Sequence, residues 1–413
     1  EEETGRNSVS PWTIDSTITC NHPMSVVAAS EAERSVWVMC GEVTATGCSS
    51  VRRVKRLTHK TVCTSVIALA ATLTLAGCSG GADDGDGESV VGVAATPAAS
   101  PATGEAVGEV TTGDAVTGLA RIGLGKDAAD TDAVAVLGDG TLSTGTLREI
   151  SAGSADTVTV DKSCDSVVSA PDGVVLTCGS TVSIRDADGK ETRTLDIGST
   201  VTAAAVVTDG TVAVTTEGSD KVTWYDAEGG KKHSEVTSAT PSGMVPVGNE
   251  RNTGDDGAAQ WRVGVLDTGQ SSVADIDMDK RQYNAALRVG QGLGDAAAAQ
   301  APDGVLVASD PRTDQALVYT FTDVIRHTQA VHTGPSPWAV LWDADRRLMW
   351  VSTTGDNQLT AYRLATGPPV AVGHVDTVAD VRQIADAPDG DLLLIGQDGT
   401  RQLIPSADLP TGR

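Results

Sequence analysis

From residue 116 to about 405 the chain alternates apolar and polar positions in short runs, and each run ends at Gly, Asp, Asn or Pro. A period of two bounded by turn residues predicts β-strands joined by hairpins, and almost no stretch keeps the period of 3.6 that a helix needs. The runs also repeat. VTTEGSDKVTWY (214–225) aligns with VSTTGDNQLTAY (351–362), VLDTGQSSVADI (265–276) follows the same frame, and 307–319 does so with one extra residue. Tyr225, Tyr319 and Tyr362 therefore fall at one repeat position. Turn pairs recur between strands: Asp172-Gly173, Asp209-Gly210, Asp303-Gly304, Asp345-Arg346 and Asp389-Gly390.

Seven units are counted by their first strands, near 133, 165, 200, 242, 295, 336 and 380, a spacing that suits four short strands each. The predicted fold is all-β, a seven-bladed β-propeller over 116–409, the architecture that repeats four-stranded sheets around an axis. The last unit shows only three clear strands, and 116–123 is expected to supply the fourth and close the ring.

The pattern changes before residue 116. Residues 79–115 are dominated by Gly, Ala, Ser, Thr, Pro and acids without an apolar period, which predicts a flexible acidic linker reaching about 30–35 Å. Upstream of it, Arg52, Arg53, Lys55, Arg56 and Lys60 precede an uncharged run over 61–77 that ends in Leu75-Ala76-Gly77-Cys78. A basic region, a short apolar region and small residues in that order form a secretory signal. A single membrane-spanning helix is the competing reading, but the run is at the short edge of what crosses a bilayer, and acids follow it where a basic stop would stand. Residues 1–50 lack an initial Met and a clear period, and are expected to be a mis-assigned or disordered extension, with translation starting near Val51.

The formal net charge of −25 argues against nucleic acid and against direct docking on anionic lipid. Of seven cysteines, only Cys164 and Cys178 follow Cys78. An even pair flanking the Pro171-Asp172-Gly173 turn predicts a structural disulfide across one hairpin, stabilising by ~3 kcal/mol in the chain-entropy model.

Two resemblances bear on this layout. Leu75-Ala76-Gly77-Cys78 resembles a bacterial lipobox, which implies diacylglycerol and a further acyl chain on Cys78 and anchoring at the outer face of a cell membrane. VSTTGDNQLTAY, followed by the turn glycine Gly367, is similar to the YVTN-type repeat of bacterial surface propellers. VLDTGQSSV (265–273), LRVGQG (287–292), APDGVLVASD (301–310) and ATGPPV (365–370) resemble the LppL-type lipoproteins of mycobacteria and other actinobacteria. That resemblance implies a propeller lipoprotein, with no activity attached.

Candidate chemistry is sparse. Asp275, Asp277 and Asp279 alternate, but Lys280 stands where a calcium loop needs Gly, so no metal is expected. Gly290, Gly292 and Gly294 precede a strand rather than a helix and read as a blade connection, not a phosphate loop. Asp226 to Lys231 resembles a quinoprotein repeat turn without the tryptophan that follows it there, and no cofactor is expected. Trp338, Trp342 and Trp350 read as packing between blades. His332 and His374 lie near connections into new blades and, with Trp338, are the candidate ligand residues. No catalytic arrangement stands out. The sequence thus points to a monomeric, lipid-anchored binding or scaffolding module for an envelope protein or small ligand. The alternative is a propeller enzyme, lactonase-like or quinoprotein-like, with its site at the central channel.

Overall fold

A computed structural model describes residues 18–19, 25–26, 92–102, 104–207, 210–253 and 259–411. Residues 1–83 and 84–413 form separate units. In the first, Ile18–Thr19 pairs antiparallel with Ser25–Val26. Leu75, Ala76, Gly77 and Cys78 lie outside the described residues.

The second unit is a seven-bladed β-propeller of four-stranded antiparallel sheets. The innermost strands are Val116–Arg121, Cys164–Ala170, Val201–Val206, Pro241–Thr253, Ala296–Ala298, Pro337–Asp343 and Val381–Asp386, for blades one to seven in order. Each blade is a meander from the axis outwards. One end of the ring therefore carries the connections between blades and the turns joining second to third strands, here the inter-blade face. The other carries the remaining turns, the hairpin face.

Buried side chains fall into seven clusters, one at each seam between neighbouring blades. Trp224 with Trp261 and Ile276 fills the seam of blades three and four, and Leu341, Trp350 and Leu394 fill that of six and seven. The sequence repeat is the hairpin register itself. Tyr225, Ile276, Tyr319 and Tyr362 pair with Val212, Val263, Leu306 and Met349 at equivalent places on their third strands. From there the side chains enter a seam, as Tyr319 and Tyr362 do when fully buried.

Two expectations shift by one strand. The strand near 133 is the second of blade one, Ala133–Gly138, and Val116–Arg121 is its first. The fourth strand of blade seven is instead Glu109–Thr111, which pairs with Arg401–Ile404. The propeller thus begins before 116, inside the stretch expected to be linker. The physical reason is that pairing with the last strand, not local alternation, makes these three residues a strand. Gly108 starts the turn into it at φ 82°, where a Cβ would collide with the Leu403 carbonyl.

Candidate functional site

The sequence-predicted ligand residues do not gather. His332 ends the outermost strand of blade five and His374 lies within that of blade six, both exposed. Trp338 is on the innermost strand of blade six. Three strand spacings, ~14 Å, separate outermost from innermost strands in such a blade. Trp338 is half-buried, with the Arg382 guanidinium 5.4 Å from its ring centroid. Arg382 also donates to Gln397 Oε1 at 2.9 Å and lies 3.6 Å from Asp380, while its buried Nη1 has no hydrogen-bond partner. Burial lowers the Arg382 pKa and Asp380 raises it in part. Trp342 and Trp350 are buried in the seams of blade six.

The alternating acids are spent on structure. Asp275 accepts from Arg262 Nε at 2.8 Å and from the Ile325 amide at 3.0 Å, joining blades four and five. Asp277 caps its own turn through the Lys280 amide at 2.9 Å. Asp267 and Asp310, equivalent on their second strands, accept from amides on both sides of a turn: Thr240 and Gln270 for the first, Gln291 and Arg312 for the second. Among the described residues, no group of three or more His, Cys, Asp or Glu is placed to hold a metal. Cys164 and Cys178 are directly opposed on the first two strands of blade two and joined by a disulfide.

The two ends of the channel are filled differently. At the hairpin face, the loop of blade one over 122–132 crosses the mouth. The Gly123 amide donates to Gly173 O at 3.1 Å, Leu124 packs on the seam of blades three and four, and the Gly125 amide donates to Gln300 O of blade five at 3.1 Å. Arg121, 6 % exposed, donates through Nη1 to the carboxylate and the carbonyl of Asp386, both at 2.7 Å. Its Nη2 donates to Ala128 O at 3.3 Å and to Thr131 O, so one buried guanidinium ties the loop to blade seven. Burial raises the Asp386 pKa, Arg121 opposes that, and Asp343 adds to it. A cleft of about 330 Å³ lies beside this loop between blades two and three, lined by Pro171, Ile184, Arg185 and Arg193.

At the inter-blade face, a strap of residues 94–102 and 104–107 runs across blades four to seven. It begins with the Ala94 amide on Thr268 O at 2.6 Å and the Ala95 amide on Leu293 O at 3.1 Å. The Ala98 amide donates to Ser336 Oγ at 2.8 Å. Ser100 is held from three sides. Its amide donates to Asp380 Oδ1 at 3.2 Å, its hydroxyl donates to Thr354 O at 2.9 Å, and that hydroxyl accepts from the Asp380 amide at 2.7 Å. Asn357 Nδ2 donates to Pro101 O at 3.0 Å. The strap ends at blade seven, where buried Gln402 donates to Val107 O at 2.7 Å. Composition hid this segment. Ala, Ser and Pro read as linker, while the groups that grip it belong to distant loops.

Ser336 and Asp380 each directly precede an innermost strand, and both sit in the left-handed region, at φ 54° and 50°. Asn357 is there too, at φ 55°. A residue with a side chain pays ~1 kcal/mol for that conformation, least for Asn and Asp. Three residues that hold the strap are thus left-handed, as are Ser271, Arg281, Asp314 and Arg347 at turns elsewhere among the described residues.

No family model matches the chain, and no curated protein matches it. Solved structures do. A chain of the mitotic checkpoint complex is similar with a TM-score of 0.54 at 15% identity, covering 78% of this chain and 98% of its own. The β-propeller domain of Cps50 (Swd1) from Myceliophteria thermophila is similar with a TM-score of 0.53 at 14% identity, covering 72% and 98%. At these identities the likeness concerns the fold alone, and the chain shares with them the β-propeller.

Proposed function

We propose that this chain is a binding module of the cell envelope, an LppL-like propeller anchored through lipid on Cys78, that engages a partner protein at its inter-blade face. One observation carries the binding half of this reading: that face already holds a length of polypeptide by hydrogen bonds to its backbone from several blades. Loops on a rigid frame are where recognition concentrates, and the ring supplies the frame. The lipobox-like Leu75-Ala76-Gly77-Cys78 supports the anchor.

The test uses the full-length precursor in cells. Expression with an alkyne-bearing fatty acid should label the protein and place it in the membrane fraction, and Cys78→Ala should abolish both. A photo-cross-linking residue at exposed Ala99, on the strap, should capture a protein that the same group at exposed Asp172, on the hairpin face, does not. Label retained by Cys78→Ala sinks the anchor, and equal capture from both faces sinks the binding surface.

A further inference from the structure

We infer that the inter-blade face of blades four to seven is a recognition track for an extended, Ala/Pro-rich segment of a partner protein, and that residues 94–102 and 104–107 occupy it in cis until such a segment displaces them. The inference rests on reading this face as a protein-binding surface.

The contacts define the ligand chemistry. Ser336, Asn357 and Gln402 all reach main-chain atoms of the strap, so they would hold any extended peptide with side chains small enough to let the backbone approach. The strap residues facing the ring are correspondingly small: Ala94 and Ala95 are half-buried, and a Cβ on Gly292 would stand 2.9 Å from that of Ala95. Ser100 sets the register, because its amide and hydroxyl together satisfy both the carboxylate and the amide of Asp380. Pro97 and Pro101 flank it with fixed φ, which lowers the entropy lost on docking.

Exchange is feasible because little apolar surface is buried. Thr96, Ala98, Ala99, Pro101, Ala102, Gly104 and Glu105 remain exposed. Ser336 and Asp380 are both left-handed, and Ser336 Oγ also accepts from Thr354 Oγ1 at 3.1 Å. Glycine would relieve the backbone at both places, yet each carries the side chain that grips the strap.

The full chain with Ser100→Glu tests this, since a carboxylate would then face Asp380. Hydrogen exchange should show residues 94–101 losing protection at least tenfold. A fluorescein-labelled synthetic peptide of sequence 93–107 should bind this variant and not the unaltered chain. Adding Asp380→Ala should weaken that binding about tenfold, the loss expected for a hydrogen bond to a charged group. Ser100→Pro, which removes the amide and hydroxyl that meet Asp380 and leaves the ring unaltered, gives a second variant if Ser100→Glu is poorly produced. Three results overturn the inference: a released strap with no peptide binding, strap protection unchanged by either variant, or a concentration-dependent dimer in which a second copy supplies the strap. Peptide binding without cellular cross-links would leave the track standing and sink the envelope-partner reading instead.

Discussion

A loop crosses the ring at the hairpin face and a strap follows blades four to seven at the inter-blade face, yet the two are held by different physics. The hairpin face is crossed by a loop that buries Arg121 against Asp386 and packs Leu124 on a seam. The inter-blade face carries a strap that keeps half of its described side chains exposed and is held through hydrogen bonds. A buried charge stripped of its partner is costly, whereas a neutral hydrogen bond at a half-buried face can be exchanged for one to another peptide at smaller cost. The first crossing is part of the fold, and the second is built to part from it.

The largest effect should come from breaking the loop. Arg121→Ala leaves Asp386, whose side chain is 20% exposed, without its cation and should cost about 3 kcal/mol, the low end for a broken buried pair, read as a fall in the chemical-denaturation midpoint. If the loss is under about 1 kcal/mol, the two crossings do not differ in kind. Reduction of Cys164–Cys178, on the same face as the strap but outside its path, should cost ~3 kcal/mol while leaving strap protection unchanged. Loss of that protection would make the face one cooperative unit.

Acidity sharpens the comparison next. Asp295, whose carboxylate accepts from the Val340 amide of blade six at 3.2 Å, has its pKa pushed up to about 7 by burial. The folded state then holds this proton more tightly than the unfolded chain. Its stabilising contribution is fully present below the ordinary carboxylate pKa and is lost as pH rises from about 4 through about 7. Asp295→Asn should flatten that part of the stability–pH curve, and an unaltered slope would contradict the assignment. The smallest effect should be Ser336→Gly. Relief of the left-handed backbone should raise global stability by up to ~1 kcal/mol while amide exchange of the strap accelerates. A fall in both would show that the serine serves the ring instead.

Much of this architecture was legible because hairpins are local. The Asp-Gly turns and the spacing between paired residues such as Val212 and Tyr225 predicted strands, repeat and blade count. What escaped was non-local. Glu109–Thr111 has too few residues to show an alternation and becomes a strand through partners at the far end of the chain. The strap escaped because recognition is written in Ser336, Asn357, Asp380 and Gln402, each of which reads alone as an ordinary loop or strand residue. Histidines were weighted for their chemistry, yet His332 and His374 sit exposed on outermost strands, while Trp338 is on an innermost one.

The strand Glu109–Thr111 also sets an order in time. It emerges from the ribosome before the other strands of the ring, while its partner Arg401–Ile404 is made about 290 residues later. Six blades can pair their own strands as they appear, but blade seven waits for the far side of the ring, and closing so long a loop makes it a late folding step. A ribosome stalled before Arg401 would therefore hold an open arc with an unpaired first strand. Only a chain made past Ile404 can become a ring.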